Sequence, residues 1–177
     1  MTRTLIGTLL TGAALVLAGP LHAQSKVVWQ NFQSAEGRFK IAFPGEPVTK
    51  SGKYRTATGD IPSTQYTAGD GAEATYDVRY SDYPASVMAK LTPAKLLDAV
   101  RDGLVAKGKL ASEKPFGMGK VAGREQEIVG EDGTHYRVRL LLVESRLYQL
   151  TAMAKPPARA DAERFFGSFQ LTGMAQR

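Results

Sequence analysis

The sequence predicts an α+β domain: one antiparallel β-sheet covered by helices on both faces, an α/β/α sandwich. Three observations point there. Thr134 to Lys155 holds two runs rich in Val, Leu, Tyr and Thr on either side of Glu144-Ser145, the pattern of a tight β-hairpin. A helical period replaces the strand period after Leu91 and again after Pro156-Pro157. The connections between periodic segments are short, which favours antiparallel neighbours over crossovers.

The hairpin is the centre of this reading. Folding it about Glu144-Ser145 sets Leu142 opposite Leu147, Leu140 opposite Gln149, Val138 opposite Thr151 and Tyr136 opposite Met153. Opposed residues share a face, so that face is largely apolar. The other face carries Arg137, Arg139 and Arg146 beside Leu141, Val143, Tyr148 and Leu150. A ribbon apolar on both faces belongs inside a sheet, because an exposed one invites edge-to-edge aggregation.

The remaining elements follow in order. Residues 24–37 read as a lead-in, with Trp29 and Phe32 as apolar anchors and Glu36-Gly37 as a turn. Residues 38–43 alternate with period two and stop at Pro44-Gly45, a strand with Phe39, Ile41 and Phe43 inward. Residues 50–58 and 63–68 are more polar strands, suited to a sheet edge and separated by Gly59-Asp60-Ile61-Pro62. In residues 73–81, Tyr76, Val78 and Tyr80 alternate with Thr75, Asp77, Arg79 and Ser81, one face buried and one solvated. Thr92-Pro93 is an N-cap followed by proline at the first helical position, and Gly108 is a helix stop. Between them Leu96, Leu97, Val100, Leu104 and Val105 form one apolar stripe. Strands 109–116 and 121–130 flank Gly117-Met118-Gly119, and Glu131-Asp132-Gly133 turns into the central hairpin. Residues 158–169 form a second helix with Ala162, Phe165, Phe166 and Phe169 inward, and residues 172–177 are a tail. One domain thus spans residues 38–171.

Met1–Ala23 reads as a secretory signal. Arg3 supplies a positive start, Leu5 to Leu17 the apolar stretch, and Ala23 a small residue for the peptidase. That apolar stretch is shorter than the roughly 20 residues of a membrane span, and no later stretch is long and apolar enough to be one. Removing 23 of the 177 residues leaves 154, enough for one domain burying about two-thirds of its unfolded surface. Location in the periplasm or outside the cell follows. The chain has no cysteine, so it is held by packing without disulfides, and thiol catalysis, thiolate metal sites and a lipid-anchored cysteine are all excluded. The formal charge is +6, and +5 once Arg3 leaves with the signal. That excess favours a protein or anionic envelope component as partner, while export argues against nucleic acid.

Four stretches carry a family resemblance: Arg38-Phe39-Lys40-Ile41-Ala42-Phe43-Pro44-Gly45-Glu46-Pro47, Gly123-Arg124-Glu125, Arg146-Leu147-Tyr148-Gln149-Leu150, and Phe165-Phe166-Gly167-Ser168-Phe169-Gln170-Leu171. In this order they resemble exported bacterial domains of the PsbP/Mog1-like group. The resemblance spans nearly all the mature chain and implies an antiparallel sheet sandwiched by helices. It also implies an accessory binder, since PsbP assists a photosynthetic oxygen-evolving complex and Mog1 binds a small GTPase. It brings no catalytic residues with it.

No motif rises to a reaction, and no cofactor is expected. His135, within reach of Glu125 or Glu127, suggests a metal or acid–base site, but one histidine beside a turn supplies no ligand framework, so it reads as a solvated strand end. Gly117, Gly119 and Gly123 are followed by strand rather than the helix a phosphate loop requires. Ser168 lacks a nucleophile elbow. The candidate binding residues are Arg137, Arg139 and Arg146, an anion patch if they cluster and plain ion-pair partners if each meets a carboxylate. Three functions stay open: a non-catalytic accessory or binding module of the cell envelope, a hydrolase whose Asp, Glu and Ser meet only in space, and a carrier of an apolar ligand beneath the helices.

Overall fold

The computed structural model describes residues 28–56, 59–69, 74–106, 108–155 and 159–173. The leader and the Pro156-Pro157 break lie outside them. Chain order is β1 (Trp29–Ser34), β2 (Phe39–Pro44), β3 (Val48–Thr56), β4 (Gly59–Gly69), β5 (Ala74–Asp82), α1 (Ala85–Met88), α2 (Pro93–Val105), β6 (Gly108–Met118), β7 (Val121–Gly130), β8 (His135–Val143), β9 (Arg146–Ala154), α3 (Arg159–Ser168) and β10 (Gln170–Leu171).

Seven strands form one antiparallel sheet in the order β3-β4-β5-β9-β8-β7-β6. The β8–β9 hairpin lies inside it, with Leu142 opposite Leu147 and Val138 opposite Thr151, the register that period-two alternation about Glu144-Ser145 requires. The tight connection puts Glu144 at φ +56°, a left-handed conformation that a side chain resists.

The single-sheet expectation is corrected. β2 pairs with β1 on one side and β10 on the other, making a separate three-stranded sheet that packs face-on against the large one. Its inward residues decide this. Phe39 and Phe43 are fully buried in an aromatic cluster with Phe32, Tyr66, Tyr148, Phe165 and Phe169, ring centres 4.9–6.4 Å apart. Rings of this size pack through their faces and edges in a core layer. The segment read as a lead-in contributes β1, and Leu171 with Gln170 forms β10. The Ser168 hydroxyl donates to Phe165 O at 2.7 Å and accepts from the Ala42 amide at 2.9 Å, fastening α3 to β2.

One face of the large sheet is therefore covered by the three-stranded sheet and α3, the other by α2. Thr92 caps α2 by accepting from the Lys95 amide at 3.3 Å, and Pro93 opens it. Leu96 and Leu97 bury its apolar stripe against Ile61, Ile128, Val138, Leu140 and Leu147. The helix ends at Val105, and Gly108 begins β6 rather than capping the helix. Residues 59–62, expected as a connection, belong to β4.

Candidate functional site

Helix α2 lies over β6, β7 and β8. It covers only part of that face of the large sheet, which leaves a groove between its flank and strands β3, β4, β5 and β9. The cavity there measures about 410 Å³. Leu91, Leu96, Val100 and Leu104 line the helix side, and Gly103 adds no side chain to it. Tyr54, Tyr83, Leu147, Arg79, Ser81 and Gln149 line the sheet side. A second cavity of about 280 Å³ shares Arg79, Leu104 and Gln149 and reaches Gln65, Asp77, Thr151 and Met153.

The sheet side carries a relay of hydrogen bonds. Arg79 Nη2 donates to Gln65 Oε1 at 2.8 Å, Gln65 Nε2 donates to Thr67 Oγ1 at 3.3 Å, and Thr67 Oγ1 donates to Asp77 Oδ2 at 3.1 Å. Gln149 Nε2 donates to Thr151 Oγ1 at 3.2 Å beside them. The Arg79 guanidinium also lies 5.2 Å from the Tyr54 ring centre. Asp77 is only 3% exposed. Burial raises its pKa, and the Arg79 charge and hydrogen bonds from Gln65 and Thr67 partly offset that rise. The groove thus combines an apolar wall with fixed amide, hydroxyl and guanidinium groups, the makeup of a small-molecule binding site.

The expectation that Asp77 and Ser81 face solvent is corrected. Their face looks onto α2 and is flanked by β4 and β9, which leaves Ser81 buried as well. The signal available in sequence was Gln149 and Thr151, two polar residues on the otherwise apolar face of a central hairpin.

The three candidate arginines lie on the opposite face, and each meets a carboxylate. Arg139 Nε donates to Glu125 Oε2 at 2.5 Å, and Arg137 Nη2 donates to Glu125 Oε1 at 2.8 Å while its other arm reaches Glu163. Lys114 Nζ lies 3.0 Å from the same Glu125 carboxylate. Burial raises the Glu125 pKa, but hydrogen bonds from Arg137, Arg139 and Lys114 outweigh it and hold the group at about 2. Arg139 is further stacked between Phe116 at 4.3 Å and Phe166 at 4.7 Å. Arg146 is apart from this pair: it grips Asp82 at 2.6 and 2.7 Å and donates to Glu36 O at 2.6 Å, joining β9, β5 and the β1–β2 turn. Arg137 and Arg139 are brought together; Arg146 is not.

His135 is exposed and borders a cavity of about 320 Å³ with Glu127, Arg137 and Glu163. Among the described residues, no group of three or more His, Asp or Glu side chains is placed to hold a metal. Gly117 and Gly119 lie at the β6–β7 hairpin, and Gly123 packs so closely on Leu140 O that a Cβ there would collide with it. Among the described residues, no helix is long and apolar enough to cross a membrane.

No protein-family model matches the chain, and no curated protein sequence matches it. Among solved structures it is similar to the solution structure of cyanobacterial PsbP (CyanoP) from Synechocystis sp. PCC 6803. That similarity has a TM-score of 0.53 at 11% sequence identity and covers 87% of this chain and 98% of that one. At such identity the likeness is one of architecture, and the chain accordingly has a PsbP-like fold.

Proposed function

We propose that this protein is a non-catalytic binding protein of the bacterial cell envelope, an exported member of the PsbP/Mog1-like group whose ligand site is the groove beside α2. The observation that carries this reading is an apolar helix flank facing a part-buried polar relay across two adjoining cavities that share Arg79, Leu104 and Gln149. Leu96, Val100 and Leu104 suit an apolar tail, and Arg79 and Gln149, with Gln65 in the adjoining cavity, suit a polar head. Cleavage after Ala23 would deliver the domain to the periplasm or the outside, where such amphiphiles are carried or sensed. The PsbP-like architecture is compatible with the accessory reading, and the groove rather than the fold carries the proposal.

Two measurements test the proposal. Native mass spectrometry of the mature protein purified from its own cell envelope should show an adduct of small-molecule mass. A dansyl-labelled fatty acid should bind the stripped protein saturably with one-to-one stoichiometry. A clean unliganded mass together with no saturable probe binding would sink the proposal.

A further inference from the structure

We infer that the outer edge of β3 is a docking site for an extended, acidic segment of a partner protein, which would join the large sheet as an additional strand. The two edges of that sheet differ. β6 is blunted: its pairing with β7 shifts between Leu110 and Ser112, and Pro115 removes a backbone donor. β3 has neither device. It pairs with β4 from Val48 to Thr56 without a register shift, contains no proline, and is exposed along eight of its nine residues. Among the described residues no strand pairs with its outer side, and an edge this long and regular presents N–H and C=O groups to any strand that fits.

Pro62 shows which of those groups face outward. It lies opposite Lys53 and has no N–H to give, so the Lys53–Pro62 pair takes a non-hydrogen-bonded position in the ladder. By alternation, the backbone groups of Thr49, Ser51, Lys53 and Arg55 point away from β4 to the open side.

The side chains select the occupant. β3 carries Lys50, Lys53 and Arg55 and no acidic residue. Arg55 meets Asp60 at 3.3 Å, whereas Lys50 and Lys53 meet no carboxylate among the described residues. A second copy overlapping the whole strand antiparallel would set Lys50 opposite Tyr54 and Lys53 opposite Ser51, leaving like cations as diagonal neighbours across the seam with no acidic side chain on the added β3 to offset them. Lys53 and Arg55 share one face of β3 while Lys50 lies on the other beside Val48 and Tyr54, so a strand with carboxylates on the Lys53 face and apolar residues on the other complements both. Val48 and Tyr54 are 74% and 53% exposed and share one face of β3, so an apolar residue at either matching position of the partner would find a contact.

The probe is a synthetic peptide of alternating Glu and Val as long as β3, with a Lys-Val peptide as control. Hydrogen exchange of the mature protein, followed by NMR at low ionic strength, should slow by roughly tenfold or more at Thr49, Ser51, Lys53 and Arg55 with the acidic peptide only. The effect should weaken as salt rises. Ser51→Pro removes an outward N–H and should abolish the protection while the other strands keep theirs. Should that variant fail to fold, Lys50→Glu/Lys53→Glu leaves the backbone intact and should switch preference to the Lys-Val peptide. Equal response to both peptides, no response to either, or a concentration-dependent dimer that protects the same amides without peptide would overturn the inference.

Discussion

Gln65 on β4 accepts a hydrogen bond from the Arg79 guanidinium on β5 at 2.8 Å, which fixes a cation over the Tyr54 ring at the sheet side of the groove. The same glutamine donates to Thr67, and Thr67 to Asp77. A polar network this far inside a sheet face is held by mutual satisfaction, and its weakest member is the buried carboxylate.

Asp77 is where that weakness is measurable. Its folded pKa lies above the ordinary 3.8 because burial disfavours the charge. The folded state therefore binds the proton more tightly, so this group favours folding most at low pH and loses that contribution as pH rises through the folded pKa. Asp77→Asn should raise the melting temperature at pH 7 and leave it nearly unchanged at pH 3. A lower melting temperature at pH 7 would show that Thr67 needs the charged acceptor.

Glu125 behaves in the opposite sense. Its pKa of about 2 lies below the ordinary 4.5, so its contribution is complete above about pH 4.5 and disappears as pH falls toward 2. Glu125→Gln should cost about 2–3 kcal/mol at pH 7, because Arg137 and Arg139 lose their shared partner in a poorly solvated place. Chemical denaturation at pH 7 and at pH 2 should show that cost shrinking at the lower pH.

Gly103 lies on α2 at the groove, with open space where a Cβ would stand. Gly103→Leu should stabilise the protein by about 0.5–1 kcal/mol through helix propensity alone. It should also fill the groove and abolish binding of the dansyl-labelled fatty acid. Stability gained with probe binding intact would place the ligand elsewhere.

Leu97 is 6% exposed beneath α2. Leu97→Asp places an unpaired charge among Leu140, Ile128 and Val138 and should cost at least about 3 kcal/mol, read as loss of cooperative unfolding. Val100, half-buried at the groove, should tolerate Val100→Asp better.

Glu144 holds φ at +56° in the β8–β9 turn. Glu144→Gly relieves a conformation that costs a side chain about 1 kcal/mol and should raise stability by that order, measured by urea denaturation. No gain would mean the Glu144 side chain offsets its own strain.

Local patterns were legible because they repeat over short distances. The alternation from Tyr136 to Met153 is enough to place every residue of the central hairpin, since a one-residue slip would expose its whole apolar face. Thr92-Pro93 and the stripe of Leu96 and Leu97 were likewise enough for α2. The period of β2 gave the inward direction of Phe39, Ile41 and Phe43, but not which sheet they serve, because alternation carries no information about a strand's neighbours.

What the sequence alone determined, then, is the type of each long element and the face it buries, since both depend on neighbours within a few residues. Tertiary structure decided the rest. Arg146 meets Asp82 across 64 residues of chain, and Arg137 and Arg139 converge on a single Glu125 from the next strand. Asp77 is buried because β4 and β9 flank it beneath α2, and a groove exists because α2 lies over β6, β7 and β8 and leaves the rest of that face less covered. Those are consequences of the order in which strands assemble and the width of the sheet they make, and no local period encodes either.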